Sequence, residues 1–335
     1  MRAQTYLITG GAGFIGSHLT ELLLSQGHHV RAVDDLSTGR TGNLERVWNH
    51  GRFDFRRGSV TDAAFLEPLC SGVDVVVHLA AVVGVKLVVE QPVRTIETNV
   101  KGTECVLRTA LAHRCKVLLA STSEVYGKGS RVPFGEDHDV LLGATAKSRW
   151  CYAAGKMLDE FLALGYHQES ALPVVVFRLF NTIGTRQRGR YGMVVPRFVR
   201  QAVAGEPITI FGDGRQARCF CDVRDVVRAI AGLALHPEAV GRVFNIGSTE
   251  ETTIRQLAER VKALTRSRSP IVPVPYEEAY GPGFEDMARR VPDTTRIFSL
   301  LGWQPRYRLE DTLGEILGAW RTREVKSPEP EYAVI

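Results

Sequence analysis

The sequence predicts a doubly wound α/β fold, a parallel sheet covered by helices on both faces, followed by a smaller C-terminal α/β lobe. Three observations carry this. Short apolar runs alternate with helix-length amphipathic stretches over the first half of the chain, the pattern of a parallel sheet built from βαβ units. A glycine-rich turn joins the first run to the first helix. Beyond Phe180 the alternation gives way to irregular segments rich in Gly, Arg and Pro.

The elements follow in order. Residues 6–9 read as a strand, and residues 14–26 as a helix with Leu19, Leu22 and Leu23 on one face and Gly27 as its stop. Strands are expected at 29–34, 53–58 and 73–79. The last is almost wholly apolar, as a strand buried on both faces should be. Long helices at 91–113 and 152–168 alternate with strands at 117–121 and 174–179, and residues 243–247 suggest a late strand that returns to the sheet.

Bulk properties narrow the function. The 335 residues are 44% apolar and 24% charged, ordinary for a soluble globular protein. A net charge of +5, with the basic residues spread along the chain, carries no nucleic-acid footprint. No apolar run approaches the roughly 20 residues of a membrane span, and no leader is evident, so a cytoplasmic protein without a membrane partner is expected. The six cysteines form no CxxC pair and complete no zinc site, which predicts a reducing compartment and no metal.

The strongest local signal is Thr9-Gly10-Gly11-Ala12-Gly13-Phe14-Ile15-Gly16. Gly10 can make a tight turn, Gly13 lets the backbone approach a pyrophosphate at a helix amino terminus, and Gly16 allows close packing of helix on sheet. This is the Rossmann dinucleotide pattern. Asp34, with Asp35 beside it, ends the second strand, where a carboxylate accepts hydrogen bonds from the ribose hydroxyls of NAD and repels the extra phosphate of NADP. NAD is therefore the expected cofactor, although Arg40 is near enough in sequence to meet a phosphate. Ser37, Thr38 and Gly39 can lie against the adenosine. Val60 and Asp62 follow the third strand, with Asp62 either meeting the adenine amine or capping a helix.

Tyr152 and Lys156 lie four apart on a helix and share a face. An ammonium nearby lowers a tyrosine pKa, and the phenolate can take a hydroxyl proton while hydride leaves for NAD. Ser121-Thr122-Ser123-Glu124-Val125-Tyr126-Gly127 ends the fifth strand, on the side where parallel sheets bind ligands. Thr122 can hold the hydroxyl that Tyr152 deprotonates. Glu124 adds a carboxylate that simple alcohol oxidation does not need. The same stretch could also merely cap a turn.

The glycine motif, His78-Leu79-Ala80-Ala81, Asn99, the 121–127 stretch and the Tyr152/Lys156 pair together resemble the extended short-chain dehydrogenases that modify nucleotide sugars, and the likeness runs to about Trp320. It implies a Rossmann domain over 1–180 with a return segment at about 218–247. A nucleotide-sugar lobe would occupy 181–217 and 248–322, and 323–335 would be a loose tail. It also implies NAD contacts at Phe14, Ile15, Leu79, Ala80, Ala81 and Asn99, with Tyr152 as base, Lys156 on the nicotinamide ribose and Thr122 on the sugar. Helices 91–113 and 152–168 would pair across a homodimer.

Within that family the stretches 92–99, 120–127, 180–184 with Arg186, 205–214 and 290–293 resemble UDP-glucuronate decarboxylases, which make UDP-xylose. Oxidation at C4 places a ketone β to the C6 carboxylate, which then leaves as carbon dioxide. By position, Phe211 would pack on uracil, Arg218 and Arg290 would bind the pyrophosphate, and Ser123 and Asn181 would meet the sugar. Arg186, Arg188 and Arg190 would meet the uronate carboxylate or form a solvated basic loop. The 188–196 loop, Thr185, and the Ala153-Ala154-Gly155 link between Tyr152 and Lys156 depart from those enzymes. A UDP-sugar 4-epimerase and a 4,6-dehydratase remain open, and Ser123 beside Glu124 is compatible with the latter. A redox-inactive regulator would be expected to lack the Tyr or the Lys, and a reductase of a small free molecule would not need the arginines.

Overall fold

A computed structural model describes residues 2–189, 192–281 and 284–326, the side chains of the last helix to 322. Seven strands form the central sheet: β1 (Thr5–Thr9), β2 (His29–Asp34), β3 (Phe53–Arg57), β4 (Val75–His78), β5 (Lys116–Thr122), β6 (Val174–Leu179) and, after four short strands, β11 (Arg242–Ile246). Their order is β11-β6-β5-β4-β1-β2-β3, and every pair is parallel. The chain runs outward from β1 in one direction through β2 and β3, then returns to β4 and runs outward in the other. The carboxyl ends of β1 and β4 therefore open a crevice at the switch point.

Side-chain alternation sorts the strand residues between two helical layers. Tyr6, Ile8, Val75 and Val77 face α1 (Phe14–Ser25) and α7 (Val223–Leu235). Leu7, Val33, Val76 and Val117 face α2 (Ala63–Cys70), α4 (Pro92–His113) and α5 (Cys151–Ser170). The helix expected from residue 91 has Gln91 as its N-cap and Pro92 in its first turn, where a missing N–H costs nothing. Sequence reading missed α3 (Val85–Glu90), a short helix that Gly84 sets off from the preceding loop at φ +113°.

The lobe over the crevice is built from β7 (Thr182–Ile183), β8 (Ile208–Phe211), β9 (Ala217–Cys219), β10 (Cys221–Asp222), β12 (Glu251–Thr253), β13 (Ile271–Val274) and β14 (Arg289–Arg290). With them are α6 (Val194–Val203), α8 (Ile254–Thr265), α9 (Tyr276–Tyr280) and α11 (Leu309–Lys326). In contrast, α10 (Thr295–Leu301) packs back on α7 and β11 of the central domain, so the expected 248–322 lobe segment is interrupted there. Its separate core centres on Phe198, Ile208, Ile210, Leu257 and Leu313. β9 pairs with β12 and β14, which places Arg218 and Arg290 side by side in register. Among the described residues no helix is long and apolar enough to cross a membrane, and no His/Cys/Asp/Glu group could hold a metal ion.

Candidate active site

One cleft of about 460 Å³ runs from the glycine turn, under the lobe, to the arginines of β9 and β14. Its floor is fixed by the ends of β1 and β4. Thr9 Oγ1 lies 2.7 Å from His78 Nδ1 and accepts the Ala80 N–H at 3.2 Å, and His78 Nε2 lies 3.2 Å from Thr103 Oγ1. Burial, then the nearby Lys156 ammonium, holds the His78 pKa down at about 3, so the imidazole is neutral and structural.

The turn after β1 needs its glycines. Gly10 has φ +70°, and a Cβ on it would lie 2.9 Å from the Ala80 nitrogen. A Cβ on Gly16 would lie 2.2 Å from the Gly10 carbonyl oxygen, so Gly16 permits closure of the turn on its own helix, a tighter constraint than helix-to-sheet packing. Gly13 caps α1 without any side chain. The first-turn N–H groups of α1 thus face a smooth cradle suited to a pyrophosphate. Phe14, Ile15, Asp34, Asp35, Ser37, Thr38, Val60, Leu79, Ala80 and Ala81 line the cleft as expected, and so does Asn43, which sequence reading missed.

Asp34 accepts the N–H groups of Ala12 at 3.0 Å and Leu36 at 2.8 Å. Burial pushes its carboxyl pKa up while those donors pull it down, with a net rise. Gly39 is outside the cleft lining, and its role is to leave room for this carboxylate, which a Cβ there would approach to 2.7 Å. Two expected cofactor contacts have partners within the protein. Asp62 is exposed, caps α2 by accepting the Phe65 N–H at 3.1 Å, and is not part of the lining. Asn99 is buried behind the wall, accepts the Val82 N–H at 2.7 Å and donates to the Val82 carbonyl at 3.3 Å, so it shapes the loop after β4 from behind.

Tyr152 lies in the first turn of α5, Lys156 follows one turn later, and Thr122 ends β5; all three are buried and line the cleft. Lys156 Nζ donates to Asp159 Oδ2 at 2.8 Å inside the protein. The expected lowering of the Tyr152 pKa is not found. Burial, then the carboxylates of Glu124 and Asp159, push the phenol above its usual range, opposed by a hydrogen bond with Thr122 and by Arg149.

Glu124, directly after β5, is the centre of a buried charge ladder. Its carboxylate accepts from Arg149 at 2.5 Å and from Arg290 at 3.4 Å. Arg149 also lies 3.8 Å from Asp286, which pairs with Arg218 at 2.8 Å. Burial alone would favour a neutral Glu124, but Arg149, Arg290 and Arg218 together hold its pKa at about 2. Arg290 is itself lowered to about 10, by burial and then by Arg218. Arg149 and Asp286 were not legible in the sequence, since neither belongs to a motif.

At the far end the Arg197 guanidinium lies 3.6 Å from the Phe211 ring centroid, and Tyr280 meets that ring edge-on at 5.2 Å. Ser123 and Asn181 line the cleft, and the buried Asn181 Oδ1 has no partner within the protein. Arg186 and Arg188 line it too, but on the side of the glycine turn. Arg186 pairs with Glu21 of α1, and Arg188 donates to the Thr38 carbonyl at 3.3 Å. Those partners place both guanidinium groups beside the glycine turn, and the buried Arg186 Nη1 has no hydrogen-bond partner within the protein. Arg190 lies outside the described residues.

Residues 6–247 match the family model described as the NAD dependent epimerase/dehydratase family. The chain belongs to this family. It is 44% identical, over 95% of this chain and 98% of the relative, to the UDP-N-acetyl-alpha-D-glucosaminuronate decarboxylase of Bacillus cytotoxicus. It is 38% identical to UDP-glucuronic acid decarboxylase 1 of Danio rerio, over 93% of this chain and 71% of that one. The solved UDP-glucose 4-epimerase of Thermotoga maritima, with UDP-glucose, superposes with a TM-score of 0.85 at 32% identity, covering 95% and 99% of the two chains.

As a member of the epimerase/dehydratase family the chain is an NAD-dependent enzyme. The residues present fit that cofactor. Gly10, Gly13 and Gly16 let the turn close tightly, since a Cβ on any of them would come within 3.0 Å of neighbouring backbone, and this leaves the α1 amino terminus open to a pyrophosphate. Asp34 ends β2 in the same cleft, and Lys156 and Tyr152 line it.

Proposed function

We propose that this enzyme decarboxylates a UDP-linked uronate through a 4-ketone, with UDP-glucuronate, converted to UDP-xylose, as the first substrate to test. The observation that carries the reading is the charge ladder centred on Glu124: three buried guanidinium groups face two carboxylates, leaving one positive charge in excess beside Tyr152 and Thr122. A buried excess cation calls for an anionic partner, and a uronate brings one. The pyrophosphate of any UDP-sugar is also an anion, and Arg218 and Arg290 would bind it, so the arginines suit a nucleotide sugar in general. What favours the uronate is the Glu124 carboxylate beside Tyr152, which C4 epimerisation does not need. The decarboxylase relatives over nearly the whole chain support the same reading.

The residues would act as follows. Thr122 holds the C4 hydroxyl and Tyr152 takes its proton. NAD, held by the glycine cradle, Asp34 and Lys156, would supply the reversible hydride acceptor at C4 and a positive ring charge that would favour the Tyr152 phenolate. With C4 a ketone, the C5–C6 bond breaks, carbon dioxide leaves, and the bonding pair enters the C4–C5 enolate. Glu124, held as an anion, can accept a hydrogen bond from the sugar but cannot supply the proton that C5 needs, so solvent supplies it. Tyr152 returns its proton to the C4 oxygen. Phe211, with Arg197 on its ring, would take the uracil, and Asn181 the sugar or the adjacent phosphate.

We also infer a cytoplasmic homodimer. Val93, Ile96, Leu158 and Phe161 expose apolar surface on α4 and α5, Val93 and Phe161 each at 68%, and a second copy of the same helix pair would cover them. All six cysteines are free thiols, as suits a reducing compartment.

The deciding experiment is incubation with NAD and either UDP-glucuronate or its 2-acetamido counterpart, with products followed by mass and proton NMR. Loss of carbon dioxide is expected. An unchanged mass with inverted C4 would overturn the proposal in favour of a 4-epimerase, and loss of water from a neutral nucleotide hexose would mark a dehydratase.

A further inference from the structure

We infer that Arg149 is a positioning residue, fixing the Glu124 carboxylate in the direction and ionisation state that the reaction uses. The inference rests on the decarboxylase reading for its consequence, but on geometry for its substance. Arg149 precedes Tyr152 by three residues at the start of α5, so the helix entry that places the base also places this guanidinium. Its side chain is only 3% exposed. One of its nitrogens reaches Glu124 at 2.5 Å and another lies 3.8 Å from Asp286. The rings of Trp150 and Phe284 lie near the guanidinium, with their centroids 5.6 and 6.0 Å from its carbon. Its Nε is buried with no hydrogen-bond partner. Arg149 is thus packed and anchored toward Glu124 at the expense of one of its own donors, an arrangement that stability alone does not favour.

The groups that face Glu124 are Arg149 from the entry to α5, Tyr152 from α5 itself, and Arg290, Arg218 and Tyr280 from the lobe. Arg290 is the second contact, but at 3.4 Å it makes a weaker bond than Arg149. Without Arg149, Glu124 keeps its burial and loses its shortest donor. Its carboxyl pKa then rises, and the carboxylate can turn toward Arg290. A neutral Glu124 no longer presents an anion to the sugar, and its charge no longer acts on Tyr152. Arg149 therefore sets the acid limit of activity through a residue other than itself.

The test uses the full-length enzyme with NAD, in wild-type form and as Arg149→Met, Arg149→Lys and Glu124→Gln. The first readout is kcat and KM against pH with the UDP-uronate that the wild type decarboxylates. Arg149→Met is expected to lower kcat by about 10- to 100-fold at neutral pH, the scale of a lost charge-assisted hydrogen bond to the sugar. KM is expected to change far less, the acid limb to move to higher pH, and Arg149→Lys to recover part of both. The second readout needs no turnover: the Glu124 carboxyl band, identified by infrared difference against Glu124→Gln, should be ionised at pH 5 in the wild type and protonated in Arg149→Met. A folded Arg149→Met enzyme with an unmoved acid limb and an ionised Glu124 at pH 5 would overturn the inference. If Arg149→Met does not fold, Arg149→Lys decides: a Glu124 band and acid limb identical to wild type would overturn it. If no uronate is decarboxylated, the functional proposal fails by itself, and the infrared readout still tests Arg149.

Discussion

Arg188 of the lobe donates to the backbone carbonyl of Thr38 at 3.3 Å, tying the loop beyond β7 to the loop that follows β2. The contact crosses the cofactor side of the cleft, far from the Glu124 ladder in sequence and on the other flank of the fold. Arg188→Ala is expected to speed NAD release by about 10-fold, the worth of one charge-assisted hydrogen bond. KM for the nucleotide sugar should stay near that of the wild type. Stopped-flow displacement of bound NAD reads the first quantity and steady-state kinetics the second. A raised KM with unchanged NAD release would return Arg188 to the substrate role expected from sequence.

Tyr152→Phe keeps the buried ring and removes only the proton acceptor. A drop in kcat of about 100- to 10,000-fold is expected, the range for a lost general base, with the melting temperature near that of the wild type. Single-turnover measurement of hydride transfer checks this directly, and a wild-type rate in the variant would assign the base elsewhere.

Asp159→Asn acts at two points. It leaves the Lys156 ammonium buried without its 2.8 Å partner, which costs roughly 3–5 kcal/mol of stability. It also removes a carboxylate that pushes the Tyr152 pKa up, so the pH limb belonging to Tyr152 should move to lower pH. Denaturant unfolding and a pH–rate profile measure the two effects separately.

Gly16→Ala places a Cβ 2.2 Å from the Gly10 oxygen and 2.8 Å from the Gly11 Cα, both backbone atoms that cannot step aside cheaply. The turn must open, at a cost on the order of 1–3 kcal/mol. NAD affinity measured by calorimetry should fall with it. An Ala variant that binds NAD as the wild type does would show that the cradle is looser than its geometry indicates.

The buried His78 and the half-buried His18 predict acid sensitivity. His78 is held at about 3 and His18 at about 4, in each case by burial first. Their unfolded-state values lie near 6.5, so between pH 6.5 and the folded values the unfolded chain binds more protons, and stability falls as pH falls. Each histidine contributes up to about 1.4 kcal/mol per pH unit in that window. Thermal melts from pH 7 to 4 should show the decline, and His18→Gln should flatten it in part; an unchanged slope would remove His18 from the account.

Much of the fold was legible because it rests on local patterns. β2 and β6 were expected at the residues where they occur, since β-branched and apolar runs between turns leave little choice of boundary. The glycine cradle, Asp34, Thr122, Tyr152 and Lys156 were legible for a related reason: each depends on a spacing of a few residues on one element or on the end of one strand. Arg149 was not, because its importance lies in reaching Glu124, 25 residues earlier in the chain. The side of the cleft that Arg186 and Arg188 take was not legible, because charge in a loop does not reveal which wall the loop will touch.

The sequence by itself determined the α/β alternation, the glycine turn and the Tyr152–Lys156 spacing, because periodicity and short-range sterics act within a single element. Tertiary structure alone decided that Arg149, Arg218 and Arg290 converge on Glu124 and Asp286, that Arg186 and Arg188 go to the cofactor side, and that the Tyr152 pKa is raised. Those outcomes depend on burial and on charges brought together across long stretches of chain, and electrostatic energy in a low-dielectric interior is set by distances that only the folded chain defines.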